Sequence, residues 1–134
     1  MKSLSDRMLL RRAREAGARA YAPYSKFKVG AALVTDRGDV FTGCNVENAS
    51  YGLTVCAERA AVLAAVAGGR RSFRKLAVAA GREKPAYPCG ACLQTLNEFC
   101  GPDFPILLAP LERRGKPVEV TLGSLIPKAF RLRR

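Results

Sequence analysis

Between residues 5 and 20, apolar side chains recur at helical spacing (Met8, Leu9, Ala13, Ala16, Ala20), with Arg11, Arg12, Arg14 and Arg19 among the positions between them. Ser5 precedes the run and suits an N-cap. Ala22-Pro23-Tyr24-Ser25 breaks it. Residues 27–35 then read as a strand, Asp36-Arg37-Gly38-Asp39 as a turn and residues 40–44 as the returning strand of a hairpin. The polar stretch 45–55, with Gly52 in it, predicts a loop. Residues 56–67 are alanine-rich and predict a helix, which Gly68-Gly69 stops. The short apolar run 76–80 predicts a buried strand. Residues 82–88 predict a loop, and 90–99 a helix with Leu93 and Leu96 on its apolar face. Two more strands are predicted at 106–109 and 118–121, and a short terminal element at 124–130. The order is α-β-β-α-β-α-β-β. Helices separate the later strands, which predicts a mixed five-stranded sheet between helices, an α/β/α sandwich.

At 134 residues, with 49% apolar and 25% charged side chains, the chain suits one compact domain spanning 1–134. No window holds eighteen apolar residues in a row, and the charged N-terminus lacks the apolar core of a secretion signal. A cytoplasmic protein with no membrane partner is expected. The net charge of +12, from 23 Lys+Arg against 11 Asp+Glu, raises the question of an anionic partner. The basic residues are spread over 7–19, 70–75, 113–116 and 128–134, without interleaved aromatic rings on which bases could stack. A solvated basic surface is the simpler reading, and nucleic-acid contact is not expected.

Cysteine usage changes the picture more. There are five cysteines and no histidine. The odd count argues against a disulfide framework. Without histidine, neither a Ser-His-Asp triad nor a Cys-His pair can form. A transition-metal site would have to use thiolates and carboxylates. Cys56-Ala57-Glu58-Arg59 opens the second predicted helix and Pro88-Cys89-Gly90-Ala91-Cys92 the third. A lone CxxC is weak evidence. A third cysteine at another helix start, with a glutamate two residues on, is far more specific. Thiolates need positive potential, and a helix N-terminus supplies it through free N–H groups and the dipole. Arg59, three residues after Cys56, adds a full cation. Three protein ligands leave the fourth tetrahedral position of Zn²⁺ open, the pattern of a catalytic site. Zinc lowers the pKa of water from about 15.7 towards neutrality. Glu58 is then the candidate base. The competing reading is a closed structural site, for which only Cys44 or Cys100 could serve as fourth ligand.

The chain resembles the cytidine deaminases, specifically the short three-cysteine homotetrameric type. The resemblance rests on four segments: residues 24–32 (YSKFKVGAA), 42–52 (TGCNVENASYG), Cys56-Ala57-Glu58-Arg59 and Pro88-Cys89-Gly90-Ala91-Cys92, with a weaker match at 125–130. It implies that Cys56, Cys89 and Cys92 bind one zinc ion per subunit and that Glu58 is the proton shuttle. Arg59 would offset thiolate charge. Asn45 and Glu47 would hold the ribose 3′-hydroxyl, Phe27 would pack on the pyrimidine, and the Ala57 backbone would read the base. Tyr51 and Phe130 would be contributed to a neighbour's site in a homotetramer. The implied reaction is hydrolytic deamination of cytidine or 2′-deoxycytidine to uridine or 2′-deoxyuridine plus ammonia, in pyrimidine salvage. One departure is Leu93-Gln94, where the family usually has Arg-Gln after the last zinc cysteine. Relatives acting on blasticidin or on a polynucleotide are the nearest alternatives.

Overall fold

The computed structural model describes residues 5–112 and 116–132. Residues 113–115 and 133–134, which belong to two of the basic clusters, lie outside the described residues, as do residues 1–4. Helix α1 (Asp6–Gly17) starts where expected, with the Met8 N–H donating to Ser5 Oγ at 3.3 Å. It ends three residues before Ala20, although Ala20 stays buried in the turn that follows. Strand β1 (Val29–Thr35) begins two residues later than residue 27. Lys26 has φ 60°, a left-handed conformation that turns the chain just ahead of the ladder. Strand β2 (Val40–Cys44) completes the hairpin. The loop after it contains one 3-10 turn, Tyr51–Leu53.

Helix α2 (Ala57–Ala67) leads to β3 (Phe73–Ala80), which starts three residues ahead of the apolar run. Its early residues pair with Val34 and Thr35, and Lys75 bonds to Asp6 at 2.8 Å and to Glu119. Helix α3 (Gly90–Phe99), β4 (Pro105–Ala109), β5 (Val118–Thr121) and the one-turn helix α4 (Leu122–Leu125) complete the order. The terminal element is thus shorter and earlier than 124–130. Pro127 follows closely and cannot continue a helix.

The sheet order is β2-β1-β3-β4-β5. The β3/β4 pair is parallel and the rest antiparallel, so the sheet is mixed as expected. Period-two alternation divides the sheet between two cores. Ala32, Val34, Ala77, Ala79, Leu107 and Ala109 pack on Leu9, Leu10 and Ala13 of α1. Ala31, Leu33, Leu76, Val78, Ile106 and Leu108 pack on the other side, with Ala61, Val62 and Ala65 of α2 and Leu93 and Leu96 of α3. The predicted α/β/α sandwich is the observed one. Leu93 takes a place in this core, where an arginine would have to direct its charge elsewhere. Two glycines allow the helices to approach. A Cβ on Gly30 would lie 1.9 Å from Ala13 O on α1, and one on Gly43 would lie 2.5 Å from Ala57 O on α2.

Candidate active site

Helices α2 and α3 lie on the same face of the sheet and bring their N-termini together. Cys56 is the N-cap of α2 and Cys89 the N-cap of α3, both with extended backbone. Cys92 lies one turn into α3 and is fully buried. The three sulfurs lie within 4.8 Å of one another. Cys56 Sγ is 3.8 Å from Cys89 Sγ, which is 3.6 Å from Cys92 Sγ. A tetrahedral zinc with Zn–S bonds of about 2.3 Å separates its thiolates by about 3.8 Å. The donor set therefore fits zinc, and the two shorter sulfur–sulfur distances are at the spacing it needs. Cys44 and Cys100 are free and outside this cluster, so no fourth cysteine closes it.

Without a cation the thiols are unevenly poised. Burial pushes Cys56 up, against the nearby Arg59 guanidinium. Burial also raises Cys92, helped by the charge of Glu58. Cys89 feels the same desolvation, but the N–H groups at the start of α3 and the neighbouring thiols outweigh it and lower its pKa. A divalent cation on the sulfurs overrides these differences and deprotonates all three. Arg59 donates to Cys56 Sγ at 3.9 Å and to Thr54 O at 3.1 Å, while its Nε is buried with no hydrogen-bond partner. The guanidinium thus lies beside the Cys56 sulfur.

Glu58 is only 5% exposed, and burial pushes its carboxyl above the ordinary range. A carboxyl raised above the ordinary carboxylate range is better suited to take and return a proton. It lines a cavity of about 260 Å³ with Cys56, Cys89, Ala57, Phe27, Asn45 and Glu47. Asn45 is buried and braces its surroundings. Its Nδ2 donates to Phe27 O at 2.8 Å and its Oδ1 accepts from the Val29 N–H at 2.9 Å. One N–H and one lone pair remain for a ligand hydroxyl. Glu47 accepts from the Ser25 hydroxyl and from the Tyr24 and Ser25 N–H groups at 2.9 and 3.1 Å. The Ser25 hydroxyl is the main cause of its lowered pKa.

The structure thus gathers most of the expected residues around one cavity, with Cys92 and Arg59 beside it. Tyr51 and Phe130 do not line it. They are 75% and 68% exposed, Tyr51 edge-on to Tyr24 at 6.1 Å. Ser25, Thr54 and Tyr87 also line the cavity, and sequence reasoning did not single them out. Only the adjacency of Tyr87 to Pro88-Cys89 could have pointed to one of them. A larger groove behind Phe27, lined by Tyr21, Lys26, Lys28 and Arg82, contains none of the thiols.

An α/β/α sandwich holding three thiols and a buried carboxyl at two converging helix starts defines a zinc-dependent hydrolase with an open coordination position. The family model described as "Cytidine and deoxycytidylate deaminase zinc-binding region" matches residues 3–108. The chain is 48% identical to a cytidine deaminase of Sporosarcina psychrophila over 122 residues, 91% of this chain and 88% of that protein. It is 47% identical to one of Halalkalibacterium halodurans, covering 95% of each. A solved cytidine deaminase of Burkholderia pseudomallei superposes with a TM-score of 0.89 at 46% identity, covering 95% of this chain and all of that one. The chain belongs to the cytidine and deoxycytidylate deaminase family, and its cysteine cluster is that of the three-cysteine zinc type.

Proposed function

We propose that residues 1–134 form a single deaminase domain that converts cytidine and 2′-deoxycytidine, with water, to uridine and 2′-deoxyuridine plus ammonia. The observation that carries this is the trio of sulfurs at tetrahedral spacing beside a buried glutamate. Zinc, when bound by Cys56, Cys89 and Cys92, supplies the Lewis acidity that makes water a competent nucleophile near neutral pH. Glu58 takes one proton from the water that adds at C4 and hands it to the ring nitrogen N3, then moves the second proton, from the new C4 hydroxyl, to the departing amine as the C–N bond breaks. Arg59 offsets the charge of Cys56. The Ala57 backbone reads the base edge and Phe27 packs against the ring. Asn45 and Glu47 share the 3′-hydroxyl, one offering an amide and the other a carboxylate that stays ionised. Free nucleoside is favoured over a polynucleotide because the hydroxyl that a chain would esterify is the one these residues receive. The test is steady-state deamination of free cytidine before and after chelation, with zinc added back. Full activity in metal-free protein would refute the reading.

The protein acts as a homotetramer with shared sites. Helix α2 supports this, because its outward face is as apolar as its inward one. Leu63, Ala64 and Ala67 face solvent in the single chain, and Tyr51 and Leu53 lie exposed ahead of the helix. A helix apolar all round is normally covered. Light scattering should find a particle of four 14.5 kDa chains. A cytoplasmic role in pyrimidine salvage fits the five free thiols, three of which must stay reduced to hold metal. No helix among the described residues is long and apolar enough to cross a membrane.

A further inference from the structure

After α4 the chain runs without regular structure along α3, yet it is held there by side chains. The Phe130 carbonyl accepts from Gln94 Nε2 at 2.9 Å and from Asn97 Nδ2 at 3.1 Å. The Arg131 guanidinium donates to Asn97 Oδ1 at 2.9 Å and to Cys100 O at 3.3 Å. Asn97 is only 4% exposed, and its amide bonds to the arm through both its nitrogen and its oxygen. The ring of Phe130 does not share in this burial and points to solvent. A terminal segment is ordinarily loose unless tied down. Here three side chains fix the backbone at and just after an aromatic ring that is 68% exposed in its own chain. Meanwhile Phe27, which lines the cavity, is itself 44% exposed in the single chain.

We propose that Gln94 and Asn97 are positioning residues that, with Arg131, clamp the C-terminal arm on α3 and so present Phe130 to the cavity of a second copy of this chain. This rests on the reading above that Phe130 serves another copy's site. The clamp lowers the entropy lost when the ring docks on substrate, so it acts on affinity. Gln94 and Asn97 are three apart on one helical face, which lets both amides reach a single carbonyl. The helix that carries Cys89 and Cys92 thereby also fixes the base of the arm.

The test is a cycle of Gln94→Ala and Phe130→Ala in the zinc-loaded, assembled enzyme. Gln94→Ala alone should raise KM for cytidine about five- to tenfold, the worth of one such hydrogen bond, and change kcat less. In the Phe130→Ala background the carbonyl remains but there is no ring to position, and Gln94→Ala should then have no further effect on KM. A general structural role would give the same effect in both backgrounds. A second readout is independent of turnover. The chain has no tryptophan, so Phe130→Trp reports the arm alone. Its fluorescence anisotropy should fall when Gln94→Ala or Asn97→Ala is added. If the buried Asn97→Ala variant fails to retain zinc, the Gln94 variant decides the matter. Equal KM effects in both backgrounds, or unchanged KM and anisotropy in Gln94→Ala, would overturn the clamp. If Phe130→Ala itself leaves KM unchanged, the shared-site reading has failed instead.

Discussion

Replacing Gly43 by alanine tests whether β2 fixes the start of α2, and with it the metal centre. The new Cβ would lie 2.5 Å from Ala57 O, 2.6 Å from Ala61 N and 2.8 Å from Ala60 Cβ. Two of these neighbours are helix backbone, so no side chain can swing aside. Restoring an ordinary contact of 3.4 Å requires the first turn of α2 to move out by about 0.9 Å. Overpacking of this kind costs about 1–3 kcal/mol, and a contact with helix backbone, which cannot swing aside, belongs near the upper end. For a chain of this length that lowers Tm by about 6–12 °C. Ala57 lies between Cys56 and Glu58, so the displacement reaches both a metal ligand and the proton carrier. Misplacement of a catalytic group by about 1 Å costs roughly a hundredfold in rate. The assay is kcat/KM for cytidine with a melting curve and a zinc determination on the same sample. Gly101→Ala is the control, because its Cβ would meet nothing within 4 Å and its φ is not positive. It should stay within about 0.5 kcal/mol of the parent. Parental Tm and kcat/KM in Gly43→Ala would refute the reasoning, because α2 could not then be seated against Gly43.

Glu58→Gln should keep a full complement of zinc, by atomic absorption, while losing at least about a hundredfold in kcat, since the amide fills the same space but cannot take up and release a proton. Zinc uptake by chelated protein in weakly buffered solution should release about two to three protons per ion at pH 7. Cys56 and Cys92 are raised from the ordinary 9.0 and enter the reaction protonated, so apparent zinc affinity should climb steeply with pH. A release near zero, read with an indicator dye, would mean that the sulfurs are not the ligands. Cys100 should resist thiol reagents at pH 8. Burial pushes its pKa up to about 12 from 9.0. That leaves about a thousandfold less thiolate, which the greater nucleophilicity of a more basic sulfur reduces to a net slowing of about 40-fold. Mass-mapped labelling of Cys100 as fast as an ordinary thiol would contradict its placement in the core.

The parts of the site that could be read from the sequence are those whose chemistry is local. Cysteine is not among the preferred N-cap residues, and the free N–H groups and dipole of a helix start favour a thiolate there. Two such caps, with Cys92 one turn on, therefore carry their own meaning. Glu58 and Arg59 inherit theirs from adjacency. Asn45 and Glu47 were different. Their polarity is unremarkable in a loop, and they became visible only through resemblance. The structure gives the physical reason, because both are tied to backbone from another part of the chain, Asn45 to Phe27 and Val29, and Glu47 to Tyr24 and Ser25. The same holds for the misplaced boundaries. Arg74 and Lys75 interrupt the apolar run, yet β3 starts at Phe73 because that ring packs on Phe99 and Lys75 finds Asp6 and Glu119 on two other elements.

What no window of residues could show is that the two cysteine-bearing helix starts meet. That depends on α2 and α3 covering one face of the sheet while α1 covers the other. Handedness supplies part of the answer. The strands β3 and β4 are parallel neighbours, and a crossover between such strands is right-handed in nearly every fold, which assigns α3 to a face once the sheet order is known. Helix α2 has to join it there, because Gly43 turns its missing side chain to the face that holds Ala31 and Leu33, and only a backbone can fill the space it leaves. The convergence of the sulfurs is thus a property of strand order and of one glycine. For that reason a substitution on β2, remote from the metal in sequence, is a sharper probe of the site than another change among its ligands.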